Sequence, residues 1–216
     1  VPNTAEIAFY GMEEELENRL NAIKARRLTE AGTDDPDTVA SILSGKVRIE
    51  KVAIKDIKLR TFITEGSCRD DLAGHVYDIS YGSVDNLVVI DDSIVRGTTL
   101  RRSIVRILAR LHPRRLVIVS SAPQIRYPDF YGIDMSDIGS LIAFRAAVEL
   151  LGEEREKALS EIYQRALAQR ELPADKRTNC VKALYDRFTD DEITGMITRL
   201  VTPPNTECPV SIVYQS

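Results

Sequence analysis

The sequence predicts an α/β protein: a mainly parallel sheet flanked by helices, with a helical C-terminal extension. Three observations carry this expectation. The run Leu87 to Ile90, LVVI, is entirely apolar, largely β-branched and too short for a helix, as a central parallel strand is. After a Gly97-Thr98-Thr99 turn, Leu100, Ile104, Ile107, Leu108 and Leu111 mark the apolar side of a helix whose solvated side carries Arg101, Arg102, Arg106 and Arg110. Pro113 ends that helix and RLVIVSS supplies the next buried strand, so strand, helix and strand fit within about 35 residues as a right-handed βαβ unit.

Upstream of this unit, Thr4 suits an N-cap, and Ile7, Met12, Leu16, Leu20 and Ile23 recur at near-helical spacing, which predicts a helix from about Ala5 to Arg26. The opening VPNTAEIAFYG has no initiator Met, and Val1-Pro2 reads as the end of a strand that starts upstream, so a fragment of a longer protein is expected. AGTDDPDTVASILSG is a polar linker and a short helix from Asp37 to Leu43. KVRIEKVAIKDIKLRTFI alternates apolar and charged residues as strands or an exposed hairpin would, whereas residues 65–84 hold no sustained period and read as an irregular excursion. Beyond Asp137 the pattern is helical until CPVSIVYQ, which can add one strand. The expected organisation is a core over residues 1–150, its first strands lying before Val1, and a helical extension with a short final strand over 151–216.

The bulk composition bounds the function. With 216 residues, 44% hydrophobic and 29% charged, the chain can bury one sizeable core. A net charge of −4 and a pI near 5.4 argue against a general nucleic-acid binder, which needs a basic face. No apolar run reaches the roughly 18 residues of a membrane span, and the N-terminus lacks a signal-peptide pattern, so a cytoplasmic protein without a membrane partner is expected. Cys68, Cys180 and Cys208 are odd in number and widely spaced, which indicates reduced thiols rather than a disulfide framework or a zinc site.

The chemistry concentrates in LVVIDDSIVRGTT, Leu87 to Thr99. Ligands of open α/β sheets sit beyond the carboxyl ends of the strands, which is where Asp91 and Asp92 fall. Two adjacent carboxylates repel unless something cationic or hydroxyl-bearing lies against them. Behind them Ser93, Ile94, Val95, Arg96, Gly97, Thr98 and Thr99 form a turn that brings backbone N–H groups, two hydroxyls and a helix N-terminus together, a setting that favours a phosphate. The spacing is neither that of a Walker loop nor of the three-glycine dinucleotide fingerprint. Carboxylates for vicinal hydroxyls and Mg²⁺, next to a phosphate cradle, point to a sugar phosphate, and the one with a Mg-bound diphosphate is phosphoribosyl pyrophosphate.

These residues also carry a family resemblance. VVIDDSIVRGTT resembles the ligand motif of type I phosphoribosyltransferases, and with SSAPQIRYPDFYGIDM it is similar, more narrowly, to the synthase domain of the glutamine phosphoribosylpyrophosphate amidotransferases. LRTFI at Leu59 to Ile63 looks like the family's flexible lid and VPNTAEIA like its pyrophosphate loop. The resemblance implies the type I phosphoribosyltransferase fold and transfer of ammonia, drawn from glutamine in a full-length enzyme, to C1 of phosphoribosyl pyrophosphate at the start of purine biosynthesis. It implies that Asp91 and Asp92 hold the ribose hydroxyls and Mg²⁺, that Ser93 to Thr99 wrap the 5′-phosphate, and that Thr4 is metal-associated beside Asn3, Ala5 and Glu6. Arg60 and Thr61 would close over the diphosphate. No side-chain nucleophile is assigned, purine nucleotides become possible feedback ligands, and a homo-oligomer is expected with a glutaminase domain in the same chain.

Two departures accompany it. None of the three cysteines lies near Val1, so nothing corresponds to the family's N-terminal glutaminase Cys. RDDLAGHVYDISYGSVDN, at 69–86, is acidic and aromatic where the family is basic, which leaves open an alternative: a catalytically weak paralogue or a sensor of phosphoribosyl pyrophosphate. Of the two histidines, His75 falls in the unplaced stretch and His112 is expected to meet the last carbonyls of its helix.

Overall fold

The computed structural model describes residues 5–47, 53–55, 77–79, 86–131 and 135–215. Helix α1, Glu6–Ala31, starts one residue later than expected and runs five residues further, and is capped at Gly32. There a φ of 53°, which a glycine takes without a side-chain clash, lets the N–H donate to the Leu28 carbonyl and ends the helix. Helix α2, Pro36–Leu43, opens on Asp35, whose carboxylate accepts from the Thr38 N–H at 3.0 Å and the Thr38 hydroxyl at 2.6 Å. Pro36 fits the first turn because its missing N–H would have no helical partner there. Strands β1, Ala53–Lys55, and β2, Tyr77–Ile79, pair antiparallel, so part of the stretch expected to be irregular is a strand.

The second sheet holds the core. Strands β3, Asn86–Asp91, β4, Arg115–Ser120, and β5, Val210–Tyr214, lie in that order, and both pairings are parallel. Between β3 and β4 the chain makes a π-helical turn, Leu100–Ile104, that continues into helix α3, Val105–Ala109. The π turn is a departure from the regular amphipathic helix that the spacing predicts. Between β4 and β5 come α4, Ile142–Leu150, α5, Arg155–Ala168, α6, Lys182–Tyr185, and α7, Asp190–Val201. This is the α/β architecture, a parallel sheet flanked by helices, of a type I phosphoribosyltransferase-like fold.

Along β4 burial follows the strand period of two. Leu87, Leu116, Ile118 and Ile212 share one face and join a single buried cluster with Leu100, Val105, Ile142, Ala146, Ile193, Ile197 and Val201. The strand order steps in one direction, so crossovers of the usual right hand would both place their helices on one face. On the opposite face Ile90 is buried, whereas Val88 and Val213 are 43% and 50% exposed. Fully buried Ile193 and Ile197 tie α7 to that core, and truncating either to Ala would cost about 2–5 kcal/mol. Thr189 and Glu192 start α7 with a reciprocal capping box.

At the other end of α3 the N–H of His112 donates to the Ala109 carbonyl, and His112 takes a φ of 48°. Its ring does not meet the helix carbonyls as expected. Instead Nδ1 lies 3.5 Å from a Glu207 carboxylate oxygen. Cys180 and Cys208 are free thiols. Among the described residues no helix is long and apolar enough to cross a membrane.

Candidate functional site

Residues Asp91 to Thr99 form one continuous feature at the carboxyl edge of the parallel sheet. Register places Asp91 beside Ser120 and Ser120 beside Tyr214, so the three strands end together. The carboxylate pair is organised by short-range backbone bonds. Asp91 accepts from the Asp92 N–H at 3.1 Å, and Asp92 accepts from the Ser93 N–H at 2.8 Å. From β4, Ser121 donates its N–H to the Asp91 carbonyl at 2.9 Å and its hydroxyl to the Asp92 carbonyl at 3.2 Å. Sequence reasoning found Ser121 only as part of a motif; its role in pinning the pair needs the register of β4 to be seen.

The turn that follows is moored at both ends. Ile94 and Leu100 are buried at 3% and 2% exposure, while Asp92, Thr98 and Thr99 between and around them are exposed. Two core-side bonds fix the path: the Ile142 N–H donates to the Val95 carbonyl at 2.8 Å, and the Arg101 N–H to the Gly97 carbonyl at 3.0 Å. Gly97 has a φ of 70°, and a Cβ there would sit 2.2 Å from Ile142 Cδ1 and 3.0 Å from Val201 Cγ1. The close approach seen at this glycine is to α4 and α7, behind the loop. Ile142 and Val201 are thus loop-shaping residues that the sequence alone did not disclose.

The helix begins at Thr98 and Thr99, as expected, so both hydroxyls and the first N–H groups stand at the loop's outer rim. Ala5 is buried at 1% exposure. Glu6 is exposed, and its carboxylate accepts from the Tyr10 hydroxyl at 3.1 Å, which raises the Tyr10 pKa. Asn3, Thr4, Arg60, Thr61, Cys68 and His75 lie outside the described residues. The open clefts, of about 480 Å³ beside Leu150 and Phe188 and about 470 Å³ beside Cys180, are on the helical side of the molecule.

Mg²⁺ is a hard cation held by one or two carboxylates together with substrate phosphates rather than by an all-protein cage. The donors here suit that mode. Asp91 and Asp92 offer adjacent carboxylate oxygens, and among the described residues no group of three or more Asp, Glu, His or Cys could hold a metal by itself.

The segment after β4 is clamped to the helical region. Gln124 donates to the Asp190 carbonyl at 3.0 Å and the Thr194 hydroxyl at 2.7 Å, while Arg126 donates to the Gln124 side-chain oxygen at 2.7 Å and pairs with the Asp190 carboxylate. Tyr185 donates to the Arg126 carbonyl at 2.7 Å and lies under its guanidinium, 5.3 Å from ring to carbon. Burial first, then neighbouring Tyr127, pushes the Tyr185 phenol up, against the lowering effect of Arg126. Tyr214, also raised by burial, has its hydroxyl buried without a hydrogen-bond partner among the described residues.

No model of a known protein family matches the chain. Curated proteins do. The amidophosphoribosyltransferase of Haemophilus influenzae is 37% identical over 121 residues, which is 52% of this chain and 22% of that protein. That of Staphylococcus aureus strain Mu50 is 37% identical over 99 residues, 46% of this chain and 19% of the relative, and that of Pseudomonas aeruginosa is 41% identical over 64 residues, 30% and 13%. The matched part thus spans at most about a fifth of these relatives' length. Over about half of its residues the chain is homologous to the amidophosphoribosyltransferases, enzymes of the transferase kind.

Proposed function

We propose that this chain is the phosphoribosyl-transferring part of an amidophosphoribosyltransferase, which exchanges the pyrophosphate at C1 of phosphoribosyl pyrophosphate for an amino group in purine biosynthesis. The observation that carries the reading is the juxtaposition of an Asp91-Asp92 pair with a moored Gly97-Thr98-Thr99 turn at one sheet edge. Ribose hydroxyls donate to the two carboxylates, which relieves their mutual repulsion. The Ser93 to Thr99 turn receives the 5′-phosphate on backbone N–H groups and the two threonine hydroxyls.

With the sugar held at both ends, C1 faces outward. The C1–O bond breaks with its electron pair leaving on pyrophosphate, and the nitrogen lone pair of ammonia forms the new C1–N bond. One proton is released, giving 5-phosphoribosylamine and pyrophosphate. Mg²⁺, held by Asp91 and Asp92, would neutralise charge that builds on the leaving group. The reacting nitrogen is itself the nucleophile, so the chain's contribution is positioning and electrostatic stabilisation.

Calorimetry with phosphoribosyl pyrophosphate and Mg²⁺, paired with pyrophosphate release in excess ammonia, tests this. Binding together with release is expected, and both should fall at least about tenfold in Asp91→Asn/Asp92→Asn, a loss of roughly 1.4 kcal/mol, with the circular dichroism unchanged. Binding without release would instead favour a sensor, and neither would defeat the reading.

A further inference from the structure

The helical segment that leads away from the Ser93 to Thr99 turn carries charge in a pattern that its own stability does not favour. Residues 86–115 contain seven arginines and two aspartates, a net charge of +5 in a chain whose total is −4. Four of these arginines, Arg101, Arg102, Arg106 and Arg110, are exposed, while Leu100, Ser103, Val105 and Leu108 between them are buried. Among the described residues none of the four takes part in an ion pair. Arg102, Arg106 and Arg110 follow at intervals of four, where like charges on a helix repel one another. Arg101 and Arg102 also stand near the end of the helix whose dipole disfavours cations.

The other long helices follow the opposite rule. Helix α7 opens on Asp190, Asp191 and Glu192 and carries Arg199 in its last turn, and α1, α2 and α5 each have an acidic residue in the first turn. The segment at Leu100 has none. Helix stability therefore does not account for the arginine row, whereas attraction of an anion does.

The row leads to the candidate site. Counted from Thr99 along the helix axis, Arg102, Arg106 and Arg110 lie at about 5, 10 and 16 Å. Side chains on a helix lean toward its N-terminus, which here is the direction of the turn. An anionic ligand approaching this edge meets the repulsion of Asp91 and Asp92 and of a chain of net charge −4, and the local excess of +5 reverses that field. We propose that the arginine row is an electrostatic guide, which speeds the arrival of an anionic sugar phosphate at the turn without touching it once bound. The inference rests on the reading of Asp91 to Thr99 as a phosphoribosyl pyrophosphate site.

Stopped-flow binding of phosphoribosyl pyrophosphate with Mg²⁺ gives the test. The wild-type association rate is expected to fall at least about tenfold between about 10 mM and 1 M salt, as the screening length shrinks from roughly 30 Å to roughly 3 Å. At 10 mM, Arg102→Gln/Arg106→Gln should associate about 3–10-fold more slowly than wild type and dissociate within about twofold of its rate, and the two should converge at 1 M. Arg165→Gln/Arg170→Gln removes the same two charges from the exposed surface of α5 and the residues after it, and should change association by less than about twofold. Arg102→Lys/Arg106→Lys keeps the charge and should keep the wild-type rate, which a packing role of the guanidiniums would not allow. If the glutamine pair does not fold by circular dichroism, Arg106→Gln alone replaces it. An association rate indifferent to salt, a row variant no slower than the α5 control, a lysine pair as slow as the glutamine pair, or a loss seated in dissociation would each overturn the guide and leave the site standing. No binding at any salt would defeat the reading of the site, and the guide with it.

Discussion

Replacing Gly97 by Ala tests whether the loop is shaped from behind. The substitution adds one methyl group at a φ of 70°, where a side chain costs about 1–2 kcal/mol of backbone strain. The same methyl would lie 2.2 Å from Ile142 Cδ1 and 3.0 Å from Val201 Cγ1, so overpacking adds about 1–3 kcal/mol. Ile142→Val alone should cost only about 0.5–1.5 kcal/mol. It also removes the Cδ1 atom, leaving the next Ile142 atom at an ordinary 3.5 Å. Urea unfolding of the wild type, both single variants and the double variant therefore forms a cycle. Gly97→Ala/Ile142→Val should be more stable than the sum of the single losses predicts by about 1–2 kcal/mol, with the backbone strain left unrelieved. Losses that add within about 0.4 kcal/mol would refute the close packing of Gly97 on α4.

The remaining expectations concern the clamp, the cap and the buried phenols. Arg126→Met removes the bonds to Gln124 and Asp190 and the contact over Tyr185, and should lower stability in urea by about 1–3 kcal/mol. Thr189→Ala should cost about 1 kcal/mol by breaking the α7 cap. The Thr189 N–H and hydroxyl hold the Glu192 carboxyl below its ordinary range, so its stabilisation is present at neutral pH and disappears as pH falls through the lowered value; the variant's acid limb should be flatter. Tyr185 and Tyr214 have the opposite sign: burial raises both, so the folded state favours their neutral forms, and stability should hold below pH about 10 and decline as pH rises beyond it. Tyr214→Phe should flatten that alkaline decline and be neutral or stabilising near pH 7, because its hydroxyl has no partner among the described residues; a neutral-pH loss above about 1 kcal/mol would argue against this.

What was legible in the sequence is what local pattern encodes. LVVI and RLVIVSS gave their strands because a parallel strand buried by its neighbours is a short apolar run, and both appear in register. The position of Asp91 and Asp92 at the strand's end followed from the same run. The π turn at Leu100–Ile104 was not legible, since its apolar residues still meet the core at near-helical spacing while the bonding shifts from i+4 to i+5. Nor was the reason for Gly97. A glycine after a strand reads equally as room for a ligand or room for the core, and the core contact shows only in the packing of Ile142, 45 residues later.

The helical region after residue 137 bears on the site through the same long-range packing. Val201, at the end of α7, stands behind Gly97, and Ile142, at the start of α4, both donates to the Val95 carbonyl and fills the space where a Cβ would go. Asp190 and Thr194, at the other end of α7, hold Gln124 and Arg126 just beyond the Ser121 that pins the carboxylate pair. One helix therefore braces both the Ser93 to Thr99 turn and the segment leading from β4, and β5 follows it into the sheet beside β4. A change at Val201, Asp190 or Thr194 would act on the spacing between the carboxylates and the turn, which under the proposed function a sugar phosphate would measure.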